Sequence, residues 1–436
     1  MARDDVNLAA RAEDATGDET TRRLRILWLK TELLHPVDKG GKIRTIEMLK
    51  RLKRRHHITY MTLDDGTATP DAYARADEYC HELICIPFRT ARSSSARFYA
   101  ELLRNLLSKL PYAIDRYRSG AMERAIAEQS LTGRHDLLVS DFLTSAVNVP
   151  AQLPLPKVLF QHNVEATIWR RRTENERRIA AKLYLMLQWR RMIAFERRSC
   201  NAFDAVIGVS EQDCETMRLS YAIESVAAVP TGVDTDFFRP SGFLPPTSSK
   251  MVFTGSMDWM PNEDAIRFFI KEILPLVQRE VPDATLTVVG RNPSTVLLNI
   301  ARDHDGIVVA GRVNDVRPFM EEAACFIVPI RIGGGTRVKI YEAMAMEKPV
   351  VSTTVGAEGL PVTDGVDVLL ADDPKEFAAA VVKLLRDENL ARAIGARAAA
   401  NVRARFGWER VAMRFSELCE SAICLHSPQS NGPQAS

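Results

Sequence analysis

From residue 24 onward the chain alternates short apolar runs with amphipathic stretches. "LRILWL" (24–29) is a brief β-rich run, followed by the glycine-bearing loop "HPVDKGGK" (35–42). In "IRTIEMLKRLKRR" the apolar residues Ile43, Ile46, Leu49 and Leu52 recur at helical spacing, and "HITYMTL" (57–63) reads as a second strand. A strand–loop–helix–strand unit predicts a parallel sheet with right-handed crossovers. Further strands are expected at "DLLVS" (136–140), "KVLFQ" (157–161), "AVIGVS" (205–210) and "VAAVP" (226–230).

The pattern then restarts. A Pro/Ser/Gly stretch, "SGFLPPTSSK" (241–250), precedes "MVFTGS" (251–256), again a strand running into a glycine turn. Asn262 is the expected N-cap of the helix that follows. "ATLTVVG" (284–290), "IVVAG" (307–311), "CFIVPI" (325–330) and "PVVST" (349–353) are short strands separated by helices or loops. A last amphipathic helix is expected in "FGWERVAMRFSELCESAI" (406–423). The expected organisation is a disordered tail over 1–23, a Rossmann-like domain over 24–240, a linker over 241–250 and a second Rossmann-like domain over 251–405. A helix over 406–424 then crosses back to the first domain, and 425–436 forms a disordered tail. Two doubly wound α/β domains place their loops around a common cleft, beyond the carboxyl ends of the strands.

Composition adds exclusions. A chain of 436 residues is long for one core, which agrees with two domains. A net charge of +2 gives no electrostatic reason for a nucleic-acid partner. Seven cysteines without Cys-x-x-Cys spacing point to reduced thiols, not to a disulfide framework or a zinc site. The first 23 residues lack the apolar core of a secretory signal, and no run approaches a membrane-spanning length. A cytoplasmic protein is expected.

The densest chemistry lies in "RIGGGTRVKIYEAMAMEKPV" (331–350). Gly333, Gly334 and Gly335 allow close backbone approach to a ligand. Thr336 is the expected N-cap of a helix from Arg337 to Met346, whose first N–H groups favour an anion. Arg331, Arg337 and Lys339 add full charges suited to diphosphate oxygens. The alternative is a tight turn with solvated cations. The spacing matches neither the P-loop nor the dinucleotide fingerprint Gly-x-Gly-x-x-Gly, so a P-loop kinase or a dehydrogenase is disfavoured.

These residues resemble the donor-binding segment of family 4 glycosyltransferases of the GT-B fold. More narrowly, the chain is similar to the sugar transferases associated with exopolysaccharide and PEP-CTERM systems. Other similar pieces are "FQHNVEATIWRR" (160–171), "VPTGVDTDFFRP" (229–240), "FTGSMDWMPNEDA" (253–265), "VVGRNP" (288–293) and "AGRVNDVRPFM" (310–320). The resemblance implies a nucleotide-sugar donor bound by the second domain and a glycan or polyprenyl-linked acceptor bound mainly by the first. It also implies a metal-independent, hexosyltransferase-type reaction that retains anomeric configuration, with no cofactor. Glu342 matches the second glutamate of the family's Glu-x7-Glu pattern, implying a ribose contact; Gly334 stands where the first would be.

Arg337 and Lys339 take the place of cations that relatives carry after the second domain's first strand. Gly255, Ser256, Arg291, Arg312 and Val313 complete the expected donor set, with Gly311–Val313 offering backbone groups to a base edge. His162, in the "HN-x-E" run with Asn163 and Glu165, is expected at the cleft mouth as a third catalytic candidate. Asp38, Gly40 and Gly41 form the first domain's glycine turn, read as an acceptor or diphosphate loop. Trp259 either stacks on a ligand ring or packs on its own helix.

The basic stretch 169–198 reads as one long helix, either resting on an anionic membrane surface near a lipid-linked acceptor or simply solvated. The expected role is therefore a glycosyltransferase of cell-surface polysaccharide synthesis, cytoplasmic or peripheral at the inner face of the plasma membrane. The rivals are a GT-B epimerase or phosphorylase and a non-catalytic nucleotide-sugar-binding scaffold.

Overall fold

The computed structural model describes residues 22–37, 40–89, 95–242, 249–332 and 337–426. The chain divides into two units. The first comprises residues up to Pro230 together with Val411 onward, and the second runs from Thr231 to Arg410. The division thus falls upstream of 241–250.

The first unit is a seven-stranded parallel sheet. Its strands are β1 (Arg25–Lys30), β2 (His57–Asp64), β3 (Glu82–Pro87), β4 (Leu137–Asp141), β5 (Lys157–Phe160), β6 (Ala205–Gly208) and β7 (Val226–Ala228). Their spatial order is β3-β2-β1-β4-β5-β6-β7. The helices that matter here are α1 (Gly40–Arg55), α2 (Ala96–Asn105), α3 (Glu165–Asn175), α4 (Ile179–Ala202) and α5 (Glu211–Tyr221).

The second unit is a six-stranded parallel sheet of β8 (Lys250–Thr254), β9 (Thr285–Val289), β10 (Ile307–Gly311), β11 (Cys325–Val328), β12 (Val350–Ser352) and β13 (Leu369–Leu370). Its order is β10-β9-β8-β11-β12-β13. It carries α6 (Met260–Phe268), α7 (Val338–Ala345) and α8 (Glu388–Arg405). In both sheets the strand order reverses beside the first strand, at β1/β4 and β8/β11, which is where doubly wound sheets bind ligands.

Strand periodicity builds two cores per sheet. In the second unit Met251, Phe253, Cys325 and Ile327 face one apolar layer, while Val252, Phe326 and Val328 face the other. Burial on both faces is why these strands read as unbroken apolar runs and not as alternating ones.

The last helix, α9 (Trp408–His426), begins in the second unit and continues in the first from Val411. There Phe415 packs 5.5 Å from Trp28 and 5.1 Å from Phe160 between ring centroids, and Ser416 Oγ lies 2.8 Å from His56 Nε2.

Three expectations are corrected. Residues 169–198 are not one helix: Glu176 and Arg178 are extended (ψ 128° and 120°), so α3 ends at Asn175 and α4 starts at Ile179. Asn262 does not cap its helix. Pro261 needs no N–H in a first turn, so α6 begins at Met260, after Trp259. Ile43, although at helical spacing, is exposed. The edge strands β3 and β13 went unforeseen; both are only half-buried over most of their length and lack the long apolar signature.

Candidate active site

In the second unit the carboxyl ends of β8, β9 and β10 are stitched by their glycines. Gly255 N donates to Val289 O at 2.9 Å, and Gly290 N donates to Gly311 O at 2.9 Å. A Cβ at Gly290 would fall 1.8 Å from Gly255 O, so only glycine permits this approach. The cleared space holds a cation. Lys339 reaches back from α7 and donates from Nζ to Asn262 Oδ1 at 2.9 Å, with the amine 4.1 Å above the Phe253 ring. Asn262 is itself fixed, its Nδ2 donating to Ser256 O at 2.8 Å. Asn262 is thus a site residue that sequence reading took for a cap. Its polar side chain inside an apolar-faced helix was the available signal.

Burial pushes the Lys339 amine down to about 7, with Glu342 opposing and Arg337 reinforcing the shift. Glu342 lies one turn further along α7, and its carboxylate makes no hydrogen bond among the described residues. Burial pushes its carboxyl up to about 7 while Lys339 opposes. Arg337 precedes α7 and is buried; desolvation lowers its pKa and Glu358 opposes. The three charged groups expected on this helix are therefore gathered at the β8/β11 switch point. They are held in a partly desolvated setting, where electrostatic interactions are stronger than in water.

The remaining expected donor residues divide. Ser256 Oγ accepts from Arg291 Nε at 3.1 Å, and Arg291 also lies 3.5 Å from Asp258. Arg312 is exposed after the left-handed Gly311 (φ 69°), while Val313 is half-buried against the core. Arg331 is engaged elsewhere: its guanidinium donates to both oxygens of Asp264, closest at 2.8 Å, and lies 4.1 Å from the Phe268 ring centroid. It is a tie between the loop and α6, and it loses its place as a ready diphosphate ligand. Trp259 is exposed. Gly333, Gly334, Gly335 and Thr336 lie outside the described residues, as does Asp38. Helix α7 starts at Val338, with Arg337 in the cap position.

Alanine at Gly255 tests the arrangement directly. Its methyl would sit 2.5 Å from Lys339 Nζ and 2.8 Å from Asn262 Nδ2. Both contacts are ends of side chains, so the amine is expected to be displaced, and the backbone at φ 156° adds a local strain for alanine that should lower the thermal midpoint modestly without unfolding the chain. Titration calorimetry should then show nucleotide-sugar affinity lowered roughly ten- to a hundredfold, the worth of one charge-assisted bond.

The first unit builds a second cluster at its own switch point. Asp141, ending β4, is fully buried, and its Oδ2 accepts three hydrogen bonds. Lys30 Nζ donates at 2.8 Å, Thr45 Oγ1 at 2.6 Å and Trp28 Nε1 at 3.2 Å. The fourth neighbour, His162, meets the other oxygen: Nε2 lies 2.7 Å from Oδ1.

The expected open position of His162 is corrected. The residue is 3% exposed, stacked on Phe142 at 3.7 Å and packed beside Phe160. Burial pushes its imidazole down to about 3 despite Asp141, so the ring is neutral. Sequence order hid this, because the preceding run "KVLFQ" gave no sign that Phe142 would close over the ring.

Gly41 lies in the first turn of α1, and a Cβ there would meet Phe142 Cζ at 2.8 Å. Gly40 starts that helix and has open space around it. Glu196 was also missed. Fully buried, it accepts from the N–H of Glu165 (2.8 Å) and Ala166 (2.9 Å), from Tyr221 OH (2.6 Å) and from Gln161 Nε2 (3.1 Å). The first turn of α3 is therefore capped by a distant carboxylate and not by its own Glu165.

Residues 39–237 match the family model of glycosyltransferase family 4, and residues 248–387 match that of glycosyl transferases group 1. The two matches fall one on each Rossmann-like unit and together cover most of the chain. The chain belongs to the GT-B glycosyltransferases. Relatives agree with that placement. This glycosyltransferase is 21% identical over 371 residues to an uncharacterised 44.6 kDa protein in the cps region of Klebsiella pneumoniae, covering 82% of this chain and 90% of that one. Its fold is similar to that of sucrose-phosphate synthase from Thermosynechococcus elongatus (TM-score 0.63, 18% identity, 92% of this chain and 100% of the other). It is also similar to Anabaena HepE in complex with UDP-glucose (TM-score 0.59, 14% identity, 92% and 100%).

Proposed function

We propose that this glycosyltransferase moves a sugar from a nucleoside diphosphate to a hydroxyl of a glycan or lipid-linked acceptor, with retention and without a metal ion, in the building of a cell-surface polysaccharide. The observation that carries the reading is the Gly255–Asn262–Lys339–Glu342 arrangement. It sets an amine beneath a glycine turn and an unengaged carboxylate one helical turn away. An amine there suits a diphosphate, and the carboxylate suits paired ribose hydroxyls. The UDP-glucose complex of the Anabaena neighbour and the cps-region relative support this choice of donor class and pathway.

As the bond from the anomeric carbon to the diphosphate oxygen breaks, negative charge grows on the leaving group. Lys339 and the neighbouring Arg337 stabilise it in a setting already arranged before reaction. The acceptor oxygen forms the new bond on the same face, and its proton passes to the departing phosphate oxygen. No protein base is needed in this step. His162, neutral and enclosed, acts in this scheme as a positioning residue for Asp141 and not as an acid.

The test is a thermal-shift panel of UDP-, GDP- and ADP-sugars, followed by product analysis by NMR with the stabilising donor and a glycan acceptor. One base is expected to stabilise strongly, and the product should keep the donor's anomeric configuration in the presence of a chelator. Inverted product, a dependence on metal, or sugar interconversion without acceptor would each overturn the proposal.

A further inference from the structure

Two helices of the first unit carry apolar stripes that the fold leaves uncovered. On α4, Ile179, Leu183 and Leu187 recur every fourth residue, and the first two are 79% and 61% exposed. On α2, Tyr99 and Leu103 follow the same spacing, with Leu103 68% exposed, and Leu107, in the turn just beyond the helix, is 92% exposed. The helices are joined: Arg191 of α4 donates to Asn105 O at 2.7 Å and to Leu106 O at 2.8 Å, and Gln188 Nε2 donates to Asn105 Oδ1 at 3.2 Å. The stripes therefore lie on neighbouring supports. Apolar residues normally cluster in the open only where something covers them.

Charge says what covers them. Lys182, Arg190, Arg197 and Arg198 are exposed along α4 and make no ion pair among the described residues. Arg190, Arg197 and Arg198 border an open cavity of about 720 Å³ that is also lined by Ile193, Ala194 and Tyr221. Leucines beside unpaired cations on one helix match the boundary of a bilayer, where apolar side chains enter the acyl region and cations meet headgroup phosphates. No helix among the described residues is long and apolar enough to cross a membrane, so the contact is made from the surface.

We propose that α4 and α2 form a docking face for an anionic lipid bilayer. The face shares no residue with the donor site, and its test reads lipid binding and not turnover, so either can fail without the other. The full chain is sedimented with vesicles of phosphatidylcholine alone, or of equal parts phosphatidylcholine and phosphatidylglycerol. It should pellet with the anionic vesicles, stay in solution with the neutral ones, and be released by salt. Arg190→Glu and Arg197→Glu should each weaken partitioning by at least about fivefold. Leu103→Glu with Leu183→Glu should abolish it at an unchanged thermal midpoint. No binding to anionic vesicles, or equal binding to both kinds, would overturn the proposal. So would a wild-type dimer in sedimentation velocity that the Leu→Glu pair dissociates, since a second copy would then be the cover.

Discussion

Replacing Lys339 with Met should lower kcat/KM for the nucleotide-sugar roughly 100- to 1000-fold, comparable to losing one preorganised charge-stabilising group. Thermal stability should be kept, because the amine is already costly to hold in this setting: burial has pushed it down to about 7. That low value makes donor binding depend on pH with a definite sign. A bound diphosphate favours the protonated amine, so binding takes up a proton once the free amine has lost it. Affinity for the nucleoside diphosphate should be greatest below about pH 7. Above it, affinity should fall by up to about tenfold per unit, and calorimetry in buffers of different ionisation enthalpy should show the uptake. In Lys339→Met the slope should vanish. A wild-type affinity that stays level from pH 7 to 9 would remove Lys339 from the diphosphate.

Stability without ligand follows the same linkage. Between about 7 and the ordinary lysine value, the unfolded chain holds the Lys339 proton and the native one does not, so this residue makes stability rise with pH there. Glu342, raised to about 7, does the opposite: from the ordinary glutamate value up to about 7 the native state holds the extra proton, and stability falls as pH rises. Together the pair disfavours the empty fold most near neutrality, the range in which a diphosphate and a ribose relieve both groups.

Asp141→Ala should be the most damaging single change to the fold. Lys30 is 2% exposed and has Asp141 as its ionic partner at 2.8 Å, so removing the carboxylate strands a buried ammonium. Such losses cost about 3–5 kcal/mol, read as a lower midpoint in urea with little change in slope. The double variant Asp141→Leu with Lys30→Met should recover much of that loss, since the buried ammonium goes together with its carboxylate. Burial pushes the Asp141 carboxyl up, but the Lys30 ammonium outweighs it and holds the carboxyl well below the usual carboxylate range. Its contribution is complete above the ordinary carboxylate value and is lost as pH falls below it. A single variant as stable as wild type would show that Lys30 finds another partner or reaches water.

Legibility followed burial and locality. The central strands could be read because each is buried on both faces, which demands continuous apolar residues. The edge strands β3 and β13 escaped because half-buried strands tolerate mixed composition. The break in 169–198 was hidden because Glu176 to Arg178 continue the same charged composition on both sides of it. Glu342 and Lys339 were found in the sequence because they follow the glycine run closely in the chain and share one helix, α7. Asn262, Asp141 and Glu196 were not, because the charged or polar side chains that give each its role come from distant parts of the chain.

By itself, then, the order of residues determined two parallel α/β sheets, the glycine turn at Gly255 after β8, and the family. These depend on short-range periodicity and on which positions admit a Cβ. Only the tertiary structure decided which polar groups are sealed and which stay within reach. It turned His162 into an enclosed neutral ring, tied Arg331 to Asp264, and drew Lys339 beneath Gly255. The physical reason is that desolvation and pairing depend on every atom packed around a group, and most of those atoms come from residues remote in the chain.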